Sequence, residues 1–549
     1  MSFFKKIFTK KINSITVAAT LVAFSSLISR FLGIFRDRIL AGQFGAGDTL
    51  DIYYAAFRVP DLIFNLLVLG ALSAGFIPIL TGLVKDFQCE GCTDYEDSPN
   101  KKAWELVSNI LNVLIAGLAV ITVLGIIFAP YLMKMVAPGF SPEKQMVTAN
   151  ITRIMFLSPL FLGISSVLGG ILQSFRRFFV YSLAPILYNL GIIAGALLFA
   201  PFWGVYGLAW GVVMGAFLHM FIQVPLAFKL GFRYRPIFNL ADKNLKKIGR
   251  MMVPRTMTLG ISQLNLLVMT IIASGLTAGS LTVFNFANNL HSFPAGIFGI
   301  SFAIAAFPTM SAVAFNKKKL IANFSYTVRQ ILFFIVPATV LLLTLRAQIV
   351  RVVFGAGRFD WQDTVLTIDT LSYFAIGLFA QALIPLLIRV FYARHNSKTP
   401  FFIGLVSAGV NLISAIWLSN FWGVAGLGLA FSLAGIVNFV LLWLALYIEF
   451  KGMDEIRILI STVKFSAAGV MCGIVVQATK SAVWPFIDMS RFWGIFTQGA
   501  VAGICGIVVY LLICYILKSE ELFTLWSLIK KKTPWKKART GDQGEARGI

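Results

Sequence analysis

The chain has 549 residues, 58% hydrophobic and only 13% charged, with a mean hydropathy of +0.83 and a formal net charge of +24. A soluble domain carries roughly 25% charged residues, so an ordinary water-soluble globule is excluded. The net charge invites a nucleic-acid reading, but its placement along the chain accounts for it differently.

Met1 to Ser14 is short and basic, with Lys5, Lys6, Lys10 and Lys11. The apolar run behind it is broken by Arg30 and has no small-residue cleavage site, so it reads as a retained first helix rather than a signal peptide. Apolar runs long enough to cross a bilayer then recur to the C-terminus, without the two-residue alternation of barrel strands. The fold class is all-α, a polytopic integral membrane protein of about fourteen spans. They are expected at 15–41, 51–84, 104–129, 148–172, 181–201, 205–228, 251–275, 281–312, 325–346, 364–391, 400–418, 424–448, 460–479 and 493–517. The second and eighth exceed the bilayer and are expected to tilt, bend or project.

Basic residues set the orientation. One set of segments, from the N-terminus through 229–250 to the tail, holds 32 Lys and Arg, and the opposite loops hold seven. Both termini are therefore expected in the cytoplasm, and most of the positive charge is a topology signal, with no nucleic-acid partner implied. Eight arginines lie inside spans. Arg329 and Arg389 are close to span ends and are expected to snorkel to water.

The charge of the first two spans is different. Between Ser29 and Pro78 lie Arg30, Arg36, Asp37, Arg38, Asp51, Arg58 and Asp61. A charge at bilayer depth costs at least ~2.5 kcal/mol and faces a bundle interior or wet cavity. Arg30 and Asp37 are close in helical angle, and a bend at Gly33 would aim them and Arg36 into one cavity. Arginine suits phosphate because its planar fork donates two parallel hydrogen bonds and stays charged when buried. The bland alternative is a set of fixed bridges from these arginines to Asp37, Asp51 and Asp61. Three acids against four arginines leave a positive surplus, which favours an anionic ligand.

An internal repeat runs through the chain. The fifth and sixth spans share FWGV-x-GL at Phe202 with the eleventh and twelfth at Phe421, and a weaker echo pairs Gly70–Gly82 with Gly299–Ser311. A shift of six spans preserves orientation, as in transporters built from parallel repeats. The expected organisation is a basic N-terminus (1–14), a first six-helix bundle (15–228), a basic cytoplasmic linker (229–250) and a second six-helix bundle (251–448). An appended helix pair (460–517) and a basic, disordered cytoplasmic tail (518–549) near anionic headgroups complete it.

Other chemistries find little support. Cys89-x-x-Cys92 has no second pair or nearby His to complete a zinc site, so no metal is expected. The three histidines are scattered, and no nucleophile, metalloprotease or phosphate-loop motif occurs, so neither an enzyme nor an ATP-driven pump is implied and no cofactor is expected. A drug or cation antiporter would need buried carboxylates, which are scarce. A membrane scaffold that kept the fold is the remaining non-transport reading.

SRFLGIFRD (Ser29–Asp37), FGAGDTLDIYYAAFRVPDL (Phe44–Leu62), GALSAGFIP (Gly70–Pro78), FPAGIFG (Phe293–Gly299) and FYARHNSKTP (Phe391–Pro400) resemble the lipid II flippase family, MurJ or MviN, of the multidrug/oligosaccharidyl-lipid/polysaccharide exporter superfamily. The resemblance spans about residues 14–518. It implies alternating access that moves an undecaprenyl-diphosphate-linked wall precursor from the inner to the outer leaflet of the bacterial inner membrane. It also implies that the appended pair forms a groove for the lipid tail. By motif, Arg30 and Arg36 match the family's diphosphate-associated arginines, Asp37 and Asp51 its acids, and Arg58 its next basic position. The chain departs from the family at Phe64, Asn65 and Leu69, and at Asn289, which stands where the family has a cavity arginine; Arg255 is a candidate to compensate. Lipid II is the expected substrate, another polyprenyl-diphosphate glycan the alternative. A monomer among membrane lipids, in contact with the wall-synthesis machinery, is the expected assembly.

Overall fold

The computed structural model describes residues 15–69, 75–84 and 100–531, and all regular structure among them is helical. Nine described helices are long and apolar enough to cross a membrane, or ten if Trp361–Ile376 and Leu378–Ala393, bent by 45°, form one span. The difference from fourteen has local causes. Lys398–Phe450 covers two expected spans, two helices that meet at a turn at Gly423. Ile15–Phe44 and Lys243–Ser274 occupy the first and seventh expected spans, and the apolar part of the latter, Leu259–Ser274, is among the shorter apolar helices. The second expected span is divided among Asp48–Ile63, a π-helical Phe64–Leu69 and, past undescribed residues, Ile77–Leu83. The eighth also contains a π segment, Ala295–Ile300, so both overlong spans absorb their length in widened turns.

The chain packs as two compact units. The first comprises Met1–Phe293, Val353–Phe374 and Gly404–Ala434, and the second Pro294–Val352, Ala375–Ile403 and Gly435–Ile549. In the first, Val68, Phe76, Trp104, Leu168 and Ile171 form a buried core, with the Trp104 and Phe175 rings stacked at 5.4 Å. Helices Phe178–Ala194 and Val205–Phe221 approach closely through glycine: a Cβ on Gly191 would lie 2.2 Å from the Gly215 Cα. Small residues let backbones touch where lipid supplies no hydrophobic drive between helices.

The repeat is visible in the backbone. Gly204 turns at φ 56°, ψ −134° and Gly423 at φ 54°, ψ −133°. Only glycine reaches this region without strain, which explains its place in both FWGV motifs. Phe202 and Phe421 beside them are strongly exposed, as interfacial aromatic residues are.

In the second unit, Phe333, Phe465 and Tyr510 pack together and fasten helices Glu455–Val483 and Phe492–Ile516 to Lys317–Thr344. The Tyr510 hydroxyl donates to the Phe333 carbonyl at 2.8 Å. Arg329 does not snorkel: it is buried, with Nη1 paired to Glu521 and, at 3.1 Å, to Glu520. Ser461 donates to the same Glu521 oxygen, Oε1, at 3.0 Å, and Ser519 to Oε2 at 2.7 Å. The reason for the difference is a helix, Glu520–Lys531, at the start of the segment expected to be disordered. Its first turn supplies the acids that make burial of Arg329 tolerable. Arg457 binds Glu520 at 2.6 Å and holds its carboxyl below the ordinary glutamate range. That contact is therefore formed at neutral pH and lost only as acid titrates Glu520.

A Cβ on Gly204 or Gly423 would meet nothing within 4 Å, so alanine there strains only the backbone. Gly204→Ala and Gly423→Ala should each lower stability by about 1–3 kcal/mol, and by similar amounts, in thermal unfolding of the detergent-solubilised protein. Unequal losses would mean that the two turns are not equivalent.

Candidate functional site

The site is built in the first unit from helices Ile15–Phe44, Asp48–Ile63, Lys243–Ser274 and Ser280–Pro294. Asp37 is buried, and both its oxygens are used. Arg36 donates through Nε and Nη2 to Oδ1 at 2.9 and 2.8 Å, and Asn289 donates to Oδ2 at 2.8 Å. The remaining guanidinium nitrogen of Arg36 reaches Asn189 Oδ1 at 3.2 Å. Asn189 in turn donates to Ser29, so one hydrogen-bonded chain crosses from the first helix to Phe178–Ala194 and back. Asparagine in the Asn289 position thus takes a neutral part in orienting Asp37.

Arg58 is held by neutral groups. Its Nε donates to Thr270 at 2.8 Å and its Nη2 to Asn285 at 2.9 Å. Thr270 lies on helix Lys243–Ser274 and Asn285 on helix Ser280–Pro294. Between the two arginines stands Tyr54, within electrostatic range of Arg36, Asp37 and Arg58, with a buried hydroxyl that has no hydrogen-bond partner among the described residues. Arg30 is exposed and makes no hydrogen bond or ion pair among the described residues. The structure therefore joins Arg36, Asp37 and Asn289, places Arg58 in a second group, and leaves Arg30 in neither. Asp61 is near Arg58 and Asn65 rather than bonded to an arginine. The Arg255 side chain lies outside the described residues, as do Cys89 and Cys92.

Asp51 faces none of the arginines. It caps helix Ser280–Pro294, accepting from Gly279 N at 2.8 Å, Thr282 N at 2.9 Å and Thr282 Oγ1 at 2.8 Å. Lys144 bridges it to Asp48, at 3.5 and 2.6 Å. Gly33 sits in unbroken helix, with Asn189 Oδ1, at 3.9 Å from a built Cβ, as its nearest neighbour.

The sequence did not single out Tyr54, Asn189, Thr270, Asn285 or Lys144 as site residues. Four are neutral, and Lys144 reads as an ordinary loop lysine. A second asparagine in an apolar span, Asn411, likewise bonds across helices, to Asn265.

These features define an all-helical membrane carrier with arginines set among its helices. The chain matches the solved structure titled "Inward-facing conformation of a multidrug resistance MATE family transporter of the MOP superfamily" with a TM-score of 0.64 at 14% identity, covering 80% of this chain and 99% of that one. It matches "Lipid II flippase MurJ, inward closed conformation" with a TM-score of 0.73 at 22% identity, over 93% of this chain and 100% of that one. The family model described as "Lipid II flippase MurJ" matches residues 40–497. A "Probable lipid II flippase MurJ" of Buchnera aphidicola subsp. Schizaphis graminum is 30% identical over 527 residues, 93% of this chain and 98% of the relative. The "Lipid II flippase MurJ" of Burkholderia cenocepacia is 30% identical over 436 residues, 77% and 81% of the two chains. The chain belongs to the lipid II flippase MurJ family and is a multi-pass inner-membrane protein.

Asp51→Ala would leave the two backbone N–H groups of the cap and the Thr282 hydroxyl without acceptors. Each costs about 1–3 kcal/mol when buried. The variant should unfold at markedly lower temperature, and Asp51→Asn, which keeps one acceptor oxygen, should lose less. Wild-type stability in Asp51→Ala would show that the cap contributes nothing.

Proposed function

We propose that this chain carries lipid II from the inner to the outer leaflet by alternating access, and that Arg30, Arg36 and Arg58 meet its diphosphate. The observation that carries the reading is the charge left over. Asp37 answers Arg36, Asp51 is engaged by Lys144 and a helix cap, and Arg58 is bonded to uncharged side chains with Asp61 near it. Arg30 has no partner among the described residues. A fixed scaffold has no reason to keep such a surplus, whereas a diphosphate supplies the missing negative charge and oxygen acceptors. The partnerless Tyr54 hydroxyl is a further donor for a phosphate oxygen.

Asp37 orients the Arg36 fork and offsets part of its charge in the empty site. The bulky head of the precursor is held while the tail stays in lipid, on the groove proposed at 460–517. Gly33 serves as the hinge of the first helix, and Arg255 adds charge from the seventh span. Fourteen spans with both termini cytoplasmic complete the topology. No covalent step is needed, so the chain acts as a carrier rather than an enzyme, as a monomer beside the wall-synthesis machinery.

In a bacterium depleted of its own lipid II flippase, the wild-type chain should restore growth, and Arg30→Ala and Arg36→Ala should each fail at normal membrane abundance. Full rescue by both variants would remove the diphosphate role. Failure of an abundant wild type would redirect the reading to another polyprenyl-diphosphate glycan, with Asn289 and Asn65 as the changed positions.

The membrane potential is the proposed driving force. Asp37 and Asp51 are already engaged by cationic side chains, while the arginines feel the field at about 2.3 kcal/mol per charge per 100 mV. Collapsing the potential at constant pH and sodium should stop appearance of labelled lipid II in the outer leaflet. Continued transport would exclude this drive.

A further inference from the structure

A polar cavity of about 450 Å³ lies where helix Glu455–Val483 ends and helix Phe492–Ile516 begins. Gln348, Gln477, Lys480, Ser481, Trp484 and Gln498 line it, and all six belong to the second unit. Two of the amides fix each other's direction. The Lys480 carbonyl can only accept, so it takes the Gln498 Nε2 donor at 3.0 Å, and Gln498 Oε1 then accepts from Gln348 Nε2 at 2.8 Å. Gln348 Oε1 remains, buried and without a hydrogen-bond partner among the described residues. Leaving a buried acceptor unpaired is unfavourable, so the position is suited to an incoming donor.

Lys480 has capacity to spare as well. Its Nζ donates to the Thr344 carbonyl at 2.9 Å and to Gln477 Oε1 at 3.2 Å, and an ammonium carries three N–H donors. Arg346 lies within electrostatic range of it, and no acid lines the cavity among the described residues. Positive charge beside an orphan acceptor suits an anion that also carries a hydroxyl. The depth of the cavity indicates where such an anion resides. Both apolar helices terminate here, and Trp484, Phe486 and Trp493 at their ends are strongly exposed. Aromatic residues in that position mark the headgroup layer of a bilayer.

We propose that this cavity binds the headgroup of an anionic phospholipid, one that presents a phosphodiester and a free hydroxyl as phosphatidylglycerol does. Lys480 meets the phosphate, Arg346 adds to the attraction, and a headgroup hydroxyl donates to Gln348. An ethanolamine headgroup would bring a third positive charge beside Lys480 and Arg346 and is disfavoured. The bound lipid clamps the two helices of the proposed tail groove at the end opposite to the one that Arg329 and Glu521 fasten.

The test uses the full chain in nanodiscs of phosphatidylcholine alone, or with one third phosphatidylglycerol or phosphatidylethanolamine, and follows amide hydrogen exchange over 480–491. Phosphatidylglycerol should slow exchange about fivefold, the factor expected at roughly four times the lipid's Kd. Lys480→Gln should abolish the difference between the lipids, Gln348→Met should at least halve it, and Lys480→Arg should keep it. Reading the difference cancels any loosening that a variant causes in both lipids. Arg491→Gln, which removes an exposed charge outside the cavity, should leave the difference intact. Equal exchange in phosphatidylcholine and phosphatidylglycerol, or a full effect in Lys480→Gln, would overturn the proposal. Loss of the effect in Arg491→Gln would overturn it in favour of diffuse surface attraction. Equal slowing by phosphatidylethanolamine would overturn the anionic assignment, and equal slowing by soluble glycerol phosphate would overturn the lipid source in favour of a free phosphate ester.

Discussion

A carboxylate buried among helices has no water to satisfy it, so its position is dictated by whichever protein donors converge there. Asp51 meets this condition with four: two backbone N–H groups, a threonine hydroxyl and a lysine. Three belong to the start of the helix that carries Asn285 and Asn289. The register of that helix against Asp48–Ile63 follows from the cap, and with it the placing of Asn285 on Arg58 and of Asn289 on Asp37. The charged group of the first unit is thus assembled from one capping contact outward.

The same rule sorts the arginines. Where an acid is available the guanidinium is paired, as Arg36 is with Asp37 and Arg329 with Glu521. Arg58 is hydrogen-bonded to neutral oxygens alone, with Asp61 near it but not bonded to it. In the second unit the pairing of Arg329 serves to hold helices together. In the first, that of Arg58 is incomplete. That contrast separates structural arginines from those suited to a ligand better than burial does, since Arg329 is the most enclosed of them and the least available.

The helical fold, the repeat and the odd charge of the first two spans were all legible in the sequence, because they depend on local composition and on FWGV recurring at Phe202 and Phe421. The identical turns at Gly204 and Gly423 give that recurrence a backbone meaning. Partners were not legible. Asp37 lies nearly in line with Arg30 by helical angle, yet it bonds its neighbour Arg36 and the distant Asn289. Asp51 looked like a counter-charge and proved to be a cap. Arg329 looked like a snorkelling side chain because its acids lie in a segment whose composition, dominated by the later lysines, suggested disorder. The contacts of Asp37 with Asn289, of Asp51 with Thr282 and of Arg329 with Glu521 join residues far apart in sequence, and neither periodicity nor charge count records them.

The two glycine turns bear on biogenesis. From Phe178 to Phe228, and from Thr399 to Ile448, no residue is charged, and each stretch contains one FWG turn at its middle. A helical hairpin closed by such a turn has no hydrophilic loop to be drawn across the bilayer. Each pair can enter lipid as one unit, with the glycine setting the fold-back and the flanking Phe and Trp halting it at the interface. Insertion of these hairpins then depends little on the topogenic lysines that orient the rest of the chain.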